Sequence, residues 1–172
     1  MSNEFGGGDE DDCARSCWVY CLVCLWLLDG ELVAQVGAVA KRLSHTIKFR
    51  AAPISAKMSA TVIRNQLFNP NGVDVVISTP PLLASIAESN PNILARVTHL
   101  ICDEADSLFD RSFKESTTEI LERATPSLKK LVLCSATIPK YLDKYLADRF
   151  PDMQRLKPVS YTHLTLPTIY SV

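Results

Sequence analysis

Histidine is scarce in this chain, three in 172 residues, and no His pair or second CxxC accompanies Cys21-x-x-Cys24 at zinc spacing. A tetrahedral zinc site is therefore not expected from the cysteines. Cys102 and Cys134 lie inside apolar runs, where a free cysteine behaves as a small core residue, and a reducing compartment suits them. Long hydrophobic runs are missing too. The longest, Cys17 to Leu28, has 12 residues, against about 20 for a membrane-spanning helix. It follows acidic rather than basic residues, which excludes a signal-peptide reading, and no Arg-rich transit segment is visible. Glycine is sparse. Three of the six glycines are Gly6-Gly7-Gly8, which lead into acids, and no Gly-x-x-x-x-Gly-Lys-Ser/Thr loop occurs anywhere. The net charge of −1 conceals a division: five of the 19 acids fall in the first twelve residues, leaving 14 against 18 bases. A mildly basic body is compatible with a phosphate-backbone partner without establishing one.

What is present is an alternation of strand and helix signals. The length suits one α/β domain and is too short for two. After the Cys17–Leu28 run, Asp29-Gly30 predicts a turn and cap, and Leu32, Val33, Val36, Val39, Ala40 and Leu43 recur at helical spacing. Thr46 to Ala51 reads as extended, and Met58, Val62 and Leu67 mark a weaker helix. Asn69-Pro70-Asn71-Gly72 is a turn leading into a strand from Val73 to Ile77. Thr79 is placed to cap the next helix, with Pro80 at its first position. Strands follow at Val97–Cys102 and Leu131–Cys134, with helices at Phe113–Arg123 and Tyr141–Phe150. Such alternation predicts βαβ crossovers, and the continuous apolar runs predict strands covered on both faces. The fold class is α/β, a parallel sheet with helices on both sides. Ligands of open parallel sheets bind outside the carboxyl ends of the strands. Asp29, Thr79, Asp103-Glu104 and Ser135-Ala136-Thr137 all stand at such ends, which predicts a single site.

Leu100-Ile101-Cys102-Asp103-Glu104-Ala105-Asp106 carries the strongest chemistry. Two carboxylates closing an apolar strand are costly unless something positive sits beside them, and Mg²⁺ with nucleotide phosphates is the usual solution. In that Walker B arrangement Asp103 holds the metal, through water, and Glu104 orients and deprotonates the attacking water. Leu131-Val132-Leu133-Cys134-Ser135-Ala136-Thr137 is a second buried strand ending in two hydroxyls. If the two strands are neighbours, Ser135 and Thr137 can hydrogen-bond the Asp106 carboxylate and couple the nucleotide site to domain movement.

Together these residues resemble the DEAD-box family of superfamily 2 RNA helicases, with Asp103 to Asp106 as motif II and Ser135 to Thr137 as motif III. Val73 to Leu83 is similar to motif Ib around Thr79-Pro80, and Glu31-Leu32 with Gln35 to the end of motif Ia. The resemblance implies an incomplete first RecA-like domain over residues 17–158, with ATP and Mg²⁺ as cofactors. It also implies RNA contacts through Thr79, Pro80, Glu31 and Gln35, and a second RecA-like domain as partner. Phe68 to Val76 and Asp103 to Phe113 are similar to fungal mitochondrial helicases linked to assembly of the large ribosomal subunit. That implies a ribosomal RNA substrate and a mitochondrial location, with cytoplasm or nucleus as the alternative.

Departures from the family pattern matter as well. Leu28-Asp29-Gly30 stands where Pro-Thr-Arg opens motif Ia, Leu82 where motif Ib has Arg, and the P-loop is not among these residues. The chain by itself is therefore expected to be an inactive fragment. A non-enzymatic RecA-like module binding RNA or protein is the other reading. Residues 1–16 are expected to form an acidic disordered leader and 159–172 an unstructured tail. The tail is similar to adaptor read-through peptides of transcript-derived sequences and so foreign to the natural protein; an extended linker toward a second domain is the alternative.

Overall fold

A computed structural model describes residues 23–110, 112–156 and 168–171. Its elements in chain order are β1 Val23–Trp26, α1 Gly30–Leu43, β2 Ala51–Pro53, α2 Ala60–Leu67, β3 Val75–Ser78 and α3 Pro80–Ser89. A 3₁₀ turn at Pro91–Leu94 precedes β4 His99–Cys102, α4 Ala105–Leu108 and α5 Lys114–Ala124. β5 Lys130–Ser135, α6 Lys140–Arg149, β6 Gln154–Leu156 and β7 Thr168–Ser171 complete the chain. The sheet order is β2-β3-β1-β4-β5-β7-β6. β2, β3, β1, β4 and β5 run parallel, as the βα alternation predicts.

Local chemistry explains where the elements begin. Asp29 caps α1, its Oδ1 accepting from the N–H groups of Glu31 at 2.8 Å and Leu32 at 2.9 Å. Glu31 in the first turn and Lys41 and Arg42 in the last complement the helix dipole. The expected extended piece at Thr46 begins later, because the N–H groups of Thr46 and Ile47 bond back to Leu43 and prolong the helix end. Thr79 holds the extended cap position before α3 without a side-chain cap bond, and Pro80 occupies the first turn as expected.

Helices cover both faces, unequally. The larger core joins Leu100, Cys102, Leu131 and Leu133 of the sheet to Leu83 of α3, Ile120 of α5 and Leu142 of α6. A smaller cluster packs Val33 and Ala40 of α1 on Leu27 and Ile77. Burial alternates along β4 and β5, so Ile101, Val132 and Cys134 on the second face are only half-buried. Cys102 is a core thiol, as its apolar run implied, and burial pushes its pKa well above the usual thiol value. Cys21 and the side chain of Cys24 lie outside the described residues.

One expectation is corrected. Residues 168–171 of the tail form β7, antiparallel to both β5 and β6. Thr168-Ile169-Tyr170 has high strand propensity, and without it β5 would present an open edge. The leader and residues 159–167 lie outside the described residues.

The contact between α1 and β2 depends on Gly37. A Cβ there would stand 2.7 Å from Pro53 Cβ and 3.0 Å from its Cγ. The Pro53 ring is fixed in its strand, so α1 would have to lift. Gly37→Ala gains about 1 kcal/mol in helix propensity but loses more in overpacking, which costs about 1–3 kcal/mol. The urea midpoint should fall; an unchanged or higher midpoint would contradict this packing.

Candidate nucleotide and RNA site

The parallel register sets the carboxyl ends of the strands side by side: Trp26 of β1 pairs with Ser78 of β3 and Cys102 of β4. The Asp103 N–H bonds to Trp26 O at 3.1 Å and the Leu27 N–H to Ser78 O at 3.0 Å, carrying the alignment into the loops. Because β1 lies between β3 and β4, the candidate residues divide along this rim. Thr79, Pro80, Glu31 and Gln35 follow β3 and β1, whereas Asp103, Glu104, Asp106, Ser135 and Thr137 follow β4 and β5. Glu31 and Gln35 are exposed one turn apart on α1 and share a face. Pro80 is buried, so it shapes the start of α3 and offers little surface to a ligand. Leu82, where the motif has Arg, packs against the core.

Asp103 and Glu104 are exposed at the rim. Asp103 Oδ1 accepts from the Glu104 N–H at 3.0 Å. Glu104 has left-handed backbone angles, φ 50° and ψ 49°, the one positive φ among the described non-glycine residues. Such a conformation costs on the order of 1 kcal/mol in a residue other than Gly, Asn or Asp. It turns the chain abruptly from strand into α4. Nothing in the sequence signalled it, since Glu is not a residue that favours this region.

Next comes the grip on Asp106. Its carboxylate Oδ2 accepts from Thr137 Oγ1 at 2.5 Å, joining the ends of β4 and β5 as expected. Ser135 takes a different partner from the one expected. Its Oγ accepts from the Asp106 backbone N–H at 3.2 Å and donates to Thr137 O at 2.6 Å. Ser135 is buried at the end of its strand and reaches the start of α4, leaving the more exposed Thr137 to reach the carboxylate. A third contact was not anticipated: the Tyr141 hydroxyl donates to Asp106 O at 2.9 Å. A tyrosine near a helix start reads only as part of an amphipathic pattern, so this contact is not legible from the residues alone.

These bonds shift the Asp106 pKa. Partial burial opposes ionisation, but the hydroxyls of Thr137 and Ser135 and the N–H groups of Ser107 and Asp106 outweigh it. The carboxyl is held below its usual value.

Metal ligation can be tested against the same geometry. No group of three or more His, Cys, Asp or Glu side chains converges among the described residues. Asp103 and Glu104 offer oxygen only, which suits a hard cation held mainly by water and substrate phosphates. Mg²⁺ behaves in this way, and the donor set fits it.

Comparison with known proteins agrees with this geometry. The DEAD/DEAH box helicase family model matches residues 29–145. A hypothetical ATP-dependent RNA helicase from Sulfolobus tokodaii superposes with a TM-score of 0.69 at 25% identity, over 77% of this chain and 39% of that one. The class is thus an incomplete RecA-like domain, and the chain belongs to the DEAD/DEAH box helicase family. Among curated relatives, "ATP-dependent RNA helicase MRH4, mitochondrial" of Phaeosphaeria nodorum is 94% identical over 127 residues, 74% of this chain and 19% of its own length. The Pyricularia oryzae protein of the same name is 67% identical over the same share of this chain and 20% of its own length. The chain therefore spans about a fifth of the curated relatives it matches.

The Asp106 pKa has a direct consequence. Because it is depressed on folding, its contribution to stability is present above about pH 4, the ordinary carboxylate value, and is lost as pH falls through the lowered value. Thr137→Val removes the closest donor, so the Asp106 carboxyl should titrate at higher pH in a ¹³C NMR titration, and stability should begin to fall at higher pH. A titration curve identical to the parent's would show that the bond does not form in solution.

Proposed function

We propose that this chain is part of the first RecA-like domain of an ATP-dependent RNA helicase that remodels RNA in the mitochondrion. The observation that carries the reading is the linkage of Asp106 to Ser135 and Thr137. It ties the acidic turn to the neighbouring strand in the arrangement expected of motifs II and III. The 94% identical Phaeosphaeria nodorum relative supports ATP and RNA as ligands and the mitochondrion as location, through its printed name. Assembly of the large ribosomal subunit, with ribosomal RNA as substrate, extends the reading through the resemblance of Asp103 to Phe113.

In this reading Glu104 orients the attacking water and takes its proton, and Asp103 holds Mg²⁺ through water. Bound Mg²⁺ supplies charge neutralisation for the phosphates. Asp106 carries no substrate; it transmits the position of the acidic turn to β5 and α6 through its three contacts. Thr79 at the head of α3 and the Glu31–Gln35 face of α1 lie on the RNA half of the rim. Asp29 directs its carboxylate into the first turn of α1, so the acid in the family's motif Ia Thr position serves as a cap, while Gly30 stands in the Arg position.

The 172 residues contain no P-loop, and phosphoryl transfer rests almost wholly on positioning and charge stabilisation. An arginine finger alone contributes on the order of 10³ to 10⁵ in rate. The chain by itself should therefore show no RNA-stimulated ATP hydrolysis. Joined to a family P-loop segment and second RecA-like domain, it should hydrolyse ATP in an RNA-dependent manner, and Glu104→Gln should abolish turnover while ATP still binds. Robust hydrolysis by the isolated chain, or a completed protein indifferent to Glu104→Gln, would overturn the assignment.

A further inference from the structure

α4 is a single turn, and the Asp106 carbonyl at its end accepts from outside the helix. The Asp110 N–H, which a longer helix would give to Asp106 O, bonds instead to Ser107 O at 3.2 Å. A carbonyl at a helix end must find its donor elsewhere. Here the donor is the Tyr141 hydroxyl, from the first turn of α6, at 2.9 Å. One turn further along α6, Tyr145 packs its ring on Phe109, just past the end of α4, with centroids 5.4 Å apart. Tyr141 and Tyr145 thus present one face of α6 to α4.

The consequence lies in how many groups of one residue are engaged. Asp106 is bound at its N–H by Ser135, at its carboxylate by Thr137 and at its carbonyl by Tyr141. All three partners come from one continuous stretch, Ser135 to Tyr141. The left-handed Glu104 lies two residues before Asp106, with its own N–H held by Asp103. A displacement of α6 against the sheet is therefore passed to the acidic turn through Tyr141 at the Asp106 carbonyl, while Ser135 holds the Asp106 N–H to β5.

We propose that Tyr141 is a positioning residue for the hydrolytic site, its hydroxyl fixing the Asp103–Asp106 turn to α6; the inference rests on the helicase reading above. Tyr141 is half-exposed, so the ring is not held in place by a core. Its hydroxyl stands near Asp106 and Asp110, and the phenol pKa is raised, by desolvation first and by those two carboxylates next.

Two variants separate the hydroxyl from the ring. Tyr141→Phe removes only the O–H, and Tyr141→Leu removes the ring as well. In the 172-residue chain, NMR should show both variants shifting the Asp106 and Glu104 amide signals, with the melting temperature of Tyr141→Phe close to that of the parent. Asp106→Asn should reciprocally lower the pH at which Tyr141 titrates. In the protein completed with a P-loop segment and second domain, Tyr141→Phe should lower RNA-stimulated kcat several-fold with the KM for ATP little changed. Shifts confined to α6, or seen only in Tyr141→Leu, would mean that the ring merely packs, and would overturn the proposal. So would an unchanged kcat in a completed protein that hydrolyses ATP. A completed protein that hydrolyses no ATP would instead remove the helicase reading, and with it the positioning role, even if the NMR linkage is seen.

Discussion

The hydrogen bonds around Asp106 connect parts of the fold that would otherwise only be neighbours. β4 and β5 are adjacent parallel strands, and each ends in a polar turn facing the same way. Polar groups at the top of a packed sheet must be satisfied, and the two turns satisfy each other. Thr137 Oγ1 donates to the Asp106 carboxylate while the Asp106 N–H donates to Ser135. These bonds favour the ionised carboxylate and hold its pKa below the usual value. They also need β5 correctly registered on β4, which the pairing of Leu100 with Leu131 and Cys102 with Leu133 provides from below. Core packing on one face of the sheet therefore fixes the relative height of two turns that carry the chemistry above it.

Strand order then divides the work along the rim. β1 separates β3 from β4, so residues expected to meet RNA and residues expected to meet nucleotide cannot mix. Communication between the halves must pass through backbone contacts such as Asp103 N–H to Trp26 O, or through the sheet itself. The left-handed Glu104 is a point of conformational strain in this arrangement. A strained residue beside the proposed chemistry is the pattern expected when positioning outweighs local comfort.

Much of this was legible in the sequence, for identifiable reasons. Buried parallel strands write themselves as apolar runs, so β3, β4 and β5 were located to within a residue or two, and Asp29 was visible as a cap before α1. The pairing of the Asp106 turn with Ser135 and Thr137 followed from placing both at strand ends. What stayed hidden was set by tertiary context. The Glu104 backbone angle arises from the sharp entry into α4. Tyr141 finds its partner because a one-turn helix releases a carbonyl 35 residues earlier. The tail strand β7 needs the edge of β5 as well as the strand propensity of Thr168-Ile169-Tyr170, and that edge is a fact about the sheet which the stretch itself does not carry.

The Asp106 contacts tie the acidic turn to β5 and α6, and so to the sheet through which the nucleotide half of the rim reaches the RNA half. The most direct measurement is the affinity of the completed protein for single-stranded RNA, with and without a non-hydrolysable ATP analogue, in the parent and in Asp106→Asn. Coupling between sites commonly amounts to about 5- to 150-fold in affinity. The analogue should tighten RNA binding within that range in the parent, and Asp106→Asn should bring the ratio close to one while each ligand still binds alone. An equal ratio in the two proteins would contradict this coupling.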